Sequence, residues 1–358
     1  MSTIAAVRGV LPENAYPQAE ITETLVSIVL GDGRARGPNE RLLRRLHGAA
    51  GVSTRHLVLP LDRYAALSGF GEANDIFTAA GVTLGEHAVT EALAAAGIGA
   101  AEVDLLVSTT VTGLAVPTLD ARLVTRLGLR PDVKRVPLFG LGCVAGAAGI
   151  ARVHDYLVGH PDGVAVLLSV ELCSLTFQRN DPSPANLVAS GLFGDGAAAV
   201  VMVGAARAAA MGLTGPRVVG SRSRFYPDTE RVMGWDIGDT GFRIVLAPTV
   251  ADVVETFLRD DVEAFLGVHE LKLADVDTWV AHPGGPKVIA AITHALSLPA
   301  DALDVTRRSL AAIGNLSSSS VLNVLADTLA AGTPTPGTPG VLMALGPGFC
   351  AELVLLQW

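Results

Sequence analysis

The sequence predicts an α/β fold made of two similar halves. Short apolar strands alternate with helical segments along most of the chain, which is typical of sheets covered by helices. The hydrophobic fraction is 50% of 358 residues, as strands buried on both faces of a sheet require. Parts of the chain also recur: residues 101–110 resemble 274–283, residues 140–143 resemble 312–315, and residues 163–168 resemble 340–345. Two copies of a pattern indicate a duplicated unit rather than a solenoid.

The predicted elements follow this alternation in order. Strands are expected at 104–110, 163–170, 197–203, 276–282, 340–345 and 351–358, and helices at 83–97, 119–128, 144–158, 249–266, 286–297 and 318–331. The strand pattern stops between residues 204 and 216. We therefore expect an N-terminal half over residues 1–207 and a C-terminal half over residues 208–358.

Composition excludes several classes of function. The net charge of −9 argues against nucleic acid as a partner. No apolar run is long enough for a membrane span, and no signal peptide is recognised near the start. Three cysteines do not make a disulfide framework, so a reducing cytoplasm is the expected location.

The strongest candidate for chemistry is Cys143. It follows a glycine turn and precedes a small-residue helix whose first N–H groups would point at the sulfur. Such a position favours a thiolate, the reactive form of cysteine. The alternative is a buried structural cysteine, because cysteine is a common small core residue.

His282 and Asn315 occupy the corresponding places in the second half. Asn315 matches Cys143 at a glycine turn before a helix, and His282 ends the strand that matches 105–110. If the halves pack about a pseudo-twofold axis, the three side chains meet. For His282 the alternative is a metal, although no second His or Cys lies at ligand spacing. For Asn315 it is a helix cap. His47 and His160 are expected at the surface.

Other residues have two interpretations each. Phe193 precedes a Gly-Asp-Gly turn and is either a core residue or a gate. Cys173 and Cys350 are predicted to be core cysteines. A basic stretch is either a solvated helix face or a landing site for a phosphorylated carrier such as coenzyme A. It contains Arg34, Arg36, Arg41, Arg44, Arg45 and Arg55.

Several motifs together resemble the type III polyketide synthases, the chalcone synthase superfamily. They are Gly142-Cys143 before the small-residue helix, Phe193 in Leu-Phe-Gly-Asp-Gly-Ala-Ala, His282 in His-Pro-Gly-Gly-Pro, Asn315 in Gly-Asn-Leu-Ser-Ser, and Gly346-Pro347-Gly348. The resemblance covers nearly the whole chain. It implies a thiolase fold with five layers, α-β-α-β-α, and a homodimer.

The same resemblance implies roles for individual residues. Cys143 would be the nucleophile, with His282 and Asn315 as oxyanion and decarboxylation groups. Acyl-CoA and malonyl-CoA would be the substrates, without a metal or an organic cofactor. Gating or cavity positions would be Phe193, Phe242, Thr112, Val116, Thr176 and the loop Gly346-Pro347-Gly348, and coenzyme A would contact Arg45 and Lys287.

Within that family the motifs are similar to bacterial alkylresorcinol and alkylpyrone synthases. This similarity implies a fatty acyl starter and an alkylpyrone or alkylresorcinol product. The alternatives are a tetrahydroxynaphthalene- or chalcone-type synthase and a ketoacyl synthase III that condenses once. A thiolase using Cys350 as second cysteine and a non-enzymatic scaffold with an inert Cys143 also remain open.

Overall fold

The computed structural model describes residues 1–30, 36–332 and 334–358. Within these ranges the strands are β1 (Ser2–Val10), β2 (Asn14–Pro17), β3 (Thr54–Leu57), β4 (Leu105–Thr110), β5 (Lys134–Phe139), β6 (Val164–Leu172), β7 (Asp195–Gly204), β8 (Arg217–Phe225), β9 (Met233–Gly238), β10 (Gly241–Leu246), β11 (Thr278–Ala281), β12 (Pro339–Gly346) and β13 (Cys350–Gln357).

The α-helices in the same ranges are α1 (Gln18–Leu30), α2 (Arg36–Gly48), α3 (Phe70–Ala96), α4 (Leu119–Leu127), α5 (Ala145–Gly159), α6 (Pro184–Leu192), α7 (Ala205–Met211), α8 (Val250–Val268), α9 (Pro286–Ala295), α10 (Asp304–Ile313) and α11 (Ser318–Ala331). None of these helices is long and apolar enough to cross a membrane.

Strand pairing repeats between the two halves. In the first, β4 lies parallel to β6, and β7 and β1 follow antiparallel. In the second, β11 lies parallel to β12, and β13 and β8 follow antiparallel. The two sets join through β1 and β8, giving the order β11-β12-β13-β8-β1-β7-β6-β4-β5. The sequence repeat is therefore a repeat of sheet topology.

Three helical layers enclose the two sheet halves, which gives the five-layer thiolase fold. Helices α5 and α11 form the middle layer in one apolar cluster with inward faces of both halves. Helices α3 and α4 cover the first half, and α8 and α9 cover the second. Contact between the middle helices is close, since a Cβ on Gly146 would lie 2.4 Å from the Ser318 carbonyl oxygen. The predicted fold class is confirmed.

The helix predicted from residue 83 begins instead at Phe70. Gly81 and Gly85 lie inside it, and glycine in a sequence argues against a helix interior. A Cβ at Gly81 would lie 3.4 Å from Leu119, and one at Gly85 would lie 3.1 Å from Leu168. These glycines therefore permit tight packing of α3 on α4 and the sheet.

Candidate active site

Cys143 lies on a single 3-10 turn, Gly142–Val144, that leads into α5. Gly142 has φ +56°, a conformation that favours glycine, and a Cβ there would lie 2.7 Å from Pro347. A Cβ on Gly346 would lie 2.8 Å from the backbone nitrogen of Val144. The Gly346-Pro347-Gly348 loop between β12 and β13 therefore packs directly against the cysteine turn.

The Cys143 side chain is buried, with 7% of the residue exposed. Its Sγ donates to Ser317 Oγ at 3.7 Å. Burial raises the pKa of the Cys143 thiol to about 12; the Ser317 hydrogen bond opposes this shift and the nearby Glu171 charge adds to it. Burial of the Cys143 sulfur therefore opposes the thiolate that its place before the helix favours.

His282 follows β11 directly and is held by its backbone N–H, which donates to the Met343 carbonyl on β12 at 2.9 Å. Its side chain is buried, and within the described ranges neither ring nitrogen has a hydrogen-bond partner. Burial lowers its pKa to about 3, so the ring is neutral.

Asn315 is fixed by its backbone and its amide oxygen. Its N–H donates to Leu192 O at 2.9 Å, and its carbonyl accepts from Gly194 N at 2.9 Å, so that it brackets Phe193. Its Oδ1 accepts from Ser317 N at 2.8 Å. Helix α11 begins at Ser318 with Ser317 at the N-cap position, so Asn315 lies before the cap. The turn therefore orients the Asn315 side-chain amide through a hydrogen bond to its oxygen.

The structure brings the three predicted residues to one end of the two halves. Cys143 contacts Ser317, which belongs to the Asn315 turn. Strand β12 links His282 to the cysteine turn. Its Met343 carbonyl accepts from the His282 N–H, and its Gly346 packs on Val144. A buried thiol, a buried imidazole and an oriented amide are the groups that acyl transfer with oxyanion stabilisation requires.

A cavity with a space of about 610 Å³, including its mouth, is lined in part by Phe193, the residue that pairs with Asn315. One wall is aliphatic and comes from α1 and β3; it contains Ile21, Leu25, Ile28 and Leu57. The other is aromatic and contains Tyr64, Phe177, Phe193 and Trp235. Cys173 and Thr176 complete the wall nearest the turn that follows β6.

Two of the predicted cavity residues are among those that line this cavity. Phe193 and Thr176 line the cavity, and the Thr176 hydroxyl donates to Cys173 O at 2.8 Å. Cys173 is buried as expected, although it also faces the cavity. Cys350 starts β13 and is only half-buried.

Three other predictions need correction for the single chain. Phe242 is buried against Phe70 and Trp235, with ring centroids 5.5 and 6.0 Å away, and Trp235 rather than Phe242 lines the cavity. Thr112 donates to Glu171 Oε2 at 2.9 Å and accepts from Leu172 N, so its hydroxyl is engaged inside the fold. Val116 is 98% exposed, because the loop between β4 and α4 carries it away from the sheet.

The predicted contacts for coenzyme A are at the surface. Arg45 is exposed in the last turn of α2, and Lys287 is exposed in the first turn of α9. Within the basic stretch, Arg44 pairs with Glu23 and Glu40. Arg34 and the Arg36 side chain lie outside the described residues.

Sequence reasoning misplaced or missed three buried polar groups. Arg55 is buried in the cavity wall rather than on a solvated face, and His47 is buried rather than at the surface. Glu171 is fully buried, accepting from Ser318, Thr112 and the Val111 N–H, and its burial raises its pKa. A single acid inside the apolar strand 164–172 was the available signal for Glu171.

Comparison with known proteins defines the class. Family models described as chalcone and stilbene synthases match this chain, the N-terminal domain over residues 1–207 and the C-terminal domain over residues 217–358. The chain belongs to the chalcone and stilbene synthase family. It is therefore a type III polyketide synthase, an acyltransferase that performs decarboxylating condensation on CoA thioesters and needs no cofactor. The thiolase, ketoacyl synthase III and non-enzymatic interpretations are set aside.

Individual members of the family are similar to this chain over most of its length. The chain is 56% identical to a 1,3,6,8-tetrahydroxynaphthalene synthase of Streptomyces peucetius subsp. caesius over 100% of this chain and 93% of that protein. It is 36% identical to a putative chalcone synthase of Bacillus subtilis, covering 86% of each. The crystal structure of 1,3,6,8-tetrahydroxynaphthalene synthase from Streptomyces coelicolor A3(2) matches with a TM-score of 0.92, 30% identity and 99% coverage of both chains.

Proposed function

We propose that Cys143, His282 and Asn315 are the catalytic residues of this polyketide synthase. The observation that carries the proposal is the His282 ring, which is buried with both nitrogens unpartnered among the described residues. Leaving buried polar atoms without hydrogen bonds costs stability, about 1–3 kcal/mol each. Such a cost is expected where a substrate or a reacting proton supplies the missing partner.

In the loading step the thiol proton of Cys143 passes to a ring nitrogen of His282. The sulfur attacks the carbonyl of an acyl-CoA, and coenzyme A leaves as the thiol after taking the proton. Burial disfavours the charged form of each group, and the thiolate and imidazolium stabilise each other when the proton has passed. Burial of the site then strengthens the attraction between the separated charges.

In the extension step malonyl-CoA loses CO2 and becomes an enolate. Donors on His282 and the Asn315 amide nitrogen hold the enolate oxygen, and the enolate carbon attacks the Cys143 thioester. A carbon–carbon bond forms, and the carbon–sulfur bond to Cys143 breaks with its electron pair left on the sulfur. The chain, longer by one two-carbon unit, is then a CoA thioester that is loaded on Cys143 again. Repetition and ring closure complete the product.

We propose a tetrahydroxynaphthalene-type product built from malonyl-CoA alone. The full-length identity to a 1,3,6,8-tetrahydroxynaphthalene synthase supports this, because such a skeleton can be assembled entirely from two-carbon units. The aromatic wall with Trp235 and Phe193 also suits a planar product. The fatty acyl starter remains the second candidate, favoured by the aliphatic wall of Ile21, Leu25 and Ile28.

A second copy of the chain is proposed to cover the exposed apolar residues near Val116. Phe139 is 47% exposed and Leu114 is 40% exposed. Single exposed apolar residues are ordinary, but a patch of them marks an interface. A cytoplasmic homodimer with phosphates of coenzyme A at Arg45 and Lys287 remains part of this proposal, as does the division at residue 207.

Product analysis tests the starter. Purified enzyme is supplied with malonyl-CoA alone and, separately, with malonyl-CoA plus acyl-CoAs of increasing chain length, and products are identified by mass. We expect the main product from malonyl-CoA alone. Products that contain the acyl chain, with little product from malonyl-CoA alone, would select the fatty acyl alternative.

A further inference from the structure

Arg55 is a buried cation with an unused donor at the cavity. Its residue exposure is 3%, and it lines the cavity beside Phe193 and Tyr64. Its Nε donates to Gln18 Oε1 at 3.0 Å and its Nη1 donates to Phe193 O at 2.7 Å. Within the described ranges Nη2 is buried without a partner. Two of the three guanidinium nitrogens thus have protein partners, and Nη2 has none among the described residues.

Among the described residues no carboxylate pairs with the Nη2 donor of Arg55. Asp195 is the acid whose charge acts on Arg55. Its Oδ1 accepts from Ser174 N at 2.8 Å, and its Oδ2 accepts from Val58 N and from Ser174 Oγ at 2.7 and 2.5 Å. Those donors occupy both oxygens, so the Asp195 carboxylate offers long-range charge rather than a direct bond.

Arg55 also lies against the catalytic turn. A Cβ on Gly314, the residue before Asn315, would lie 3.1 Å from Arg55 Cγ. The Phe193 carbonyl that Arg55 holds belongs to the residue paired with Asn315. Arg55 therefore contacts both the Asn315 turn and the cavity that is proposed to receive the growing chain.

We propose that Arg55 determines how far the polyketide grows by binding one of its oxygens through Nη2; this inference rests on the proposed function. A poly-β-ketone carries an oxygen on every second carbon, and the carbon between two carbonyls readily gives up a proton to form an enolate. A guanidinium donor binds such an oxygen strongly, since a charge-assisted hydrogen bond is stronger than a neutral one. Among the described residues that line the cavity, Arg55 is the charged one, so Arg55 fixes which carbonyl stops in the cavity.

The test separates chain extension from decarboxylation. Wild type, Arg55→Met and Arg55→Lys are supplied with malonyl-CoA, and CO2 release, the ratio of full-length to truncated products, and thermal unfolding are measured. Arg44→Met is the control, because Arg44 is an exposed arginine paired with Glu23 and Glu40 outside the cavity.

We expect Arg55→Met to keep CO2 release but to lower the ratio of full-length to truncated products about tenfold to a hundredfold, the loss of one hydrogen bond to a charged group. Arg55→Lys retains the charge and can reach the Phe193 carbonyl, but it lacks the fork, so it should remain folded and still truncate its products. Arg44→Met should match the wild type.

Three results would count against the inference. An unchanged product ratio in both Arg55 variants would show that Nη2 binds no intermediate. Equal loss of CO2 release, extension and thermal stability would reduce Arg55 to a structural support. Absence of any product from wild-type enzyme with malonyl-CoA or acyl-CoAs would overturn the proposed function, and the Arg55 inference with it.

Discussion

Two buried histidines, His47 and His282, are alike in exposure and in pKa but differ in hydrogen bonding. Their exposures are 2% and 4%, and burial lowers the pKa of each to about 3. The His47 ring bonds to Thr22 Oγ1 at 2.8 Å and to Ser190 Oγ at 3.1 Å. The His282 ring has no partner in the described part of the chain. Burial and pKa do not distinguish the two histidines; hydrogen-bond satisfaction does.

The two sites also differ in what surrounds them. His47 ties α2 to α1 and α6 through two hydroxyls, and a Cβ on Gly191 would lie 2.5 Å from its ring. His282 directly follows β11, and its backbone N–H donates to the Met343 carbonyl on β12. A satisfied ring contributes to stability, whereas an unsatisfied ring keeps its bonding capacity for substrate.

The largest expected effect comes from removing the proposed nucleophile, Cys143. Cys143→Ala should abolish product with every starter, because the acyl chain then has no attachment point. Cys143→Ser should leave at most weak activity, since a hydroxyl forms its anion far less readily than a thiol. Product formation is measured by mass; turnover by Cys143→Ala would remove the central role of Cys143.

Asn315→Ala should have the next largest effect. The enolate oxygen loses one of two donors, which lowers malonyl-CoA decarboxylation by roughly 10²–10³-fold by analogy with other oxyanion holes. Loading of an acyl group on Cys143, followed by intact-protein mass, should continue. Decarboxylation at the wild-type rate would leave Asn315 as a turn residue only.

Acid unfolding should depend on both histidines equally. Each has a folded-state pKa of about 3, below its unfolded value of 6.5. Each therefore contributes stability that is present above pH 6.5 and is lost as the pH falls toward 3. Urea unfolding of His47→Leu and of His282→Leu across this window should show a shallower loss of stability than wild type. An unchanged slope in either variant would mean that the imidazole in question is not kept neutral by burial.

A smaller effect is expected at the cavity wall. Thr176 lines the cavity beside Cys173, and a tryptophan there fills part of the space. Thr176→Trp should shorten the main product or the accepted starter without changing decarboxylation. Mass analysis of the products checks this, with Thr176→Val as the matched control for loss of the hydroxyl alone. Identical products from Thr176→Trp and wild type would place the growing chain elsewhere.

Much of this could be predicted from the sequence, because a duplicated α/β unit repeats its turns. The echo between Cys143 and Asn315 predicted the meeting of α5 and α11 that the structure contains. The burial of charged and polar side chains inside the fold was harder to predict. Arg55 belongs to a basic stretch that is exposed at Arg41 and Arg45, and only tertiary packing places it in the cavity wall. His47 has a charged sequence neighbourhood, yet Thr22 and Ser190, distant in sequence, satisfy its ring.

The position of Val116 could not be predicted from one chain. Resemblance placed it near the cavity, whereas the isolated fold leaves it almost fully exposed. Local pattern does not encode what covers a loop residue, since that depends on surfaces outside the chain's own core. Phe242 has the aromatic side chain expected of a gate, but it does not line the cavity. Trp235 on the neighbouring strand does.

The most direct test compares His282→Leu with His47→Leu in one experiment, measuring malonyl-CoA decarboxylation and the free energy of unfolding at neutral pH. His282→Leu should lose activity by orders of magnitude without a loss of stability, because no hydrogen bond is removed and two unpartnered polar atoms leave the interior. His47→Leu should lose about 1–3 kcal/mol of stability through its two bonds and keep its activity per folded molecule. Activity retained by His282→Leu, or lost equally in both variants, would contradict the assignment of His282 as the reactive histidine.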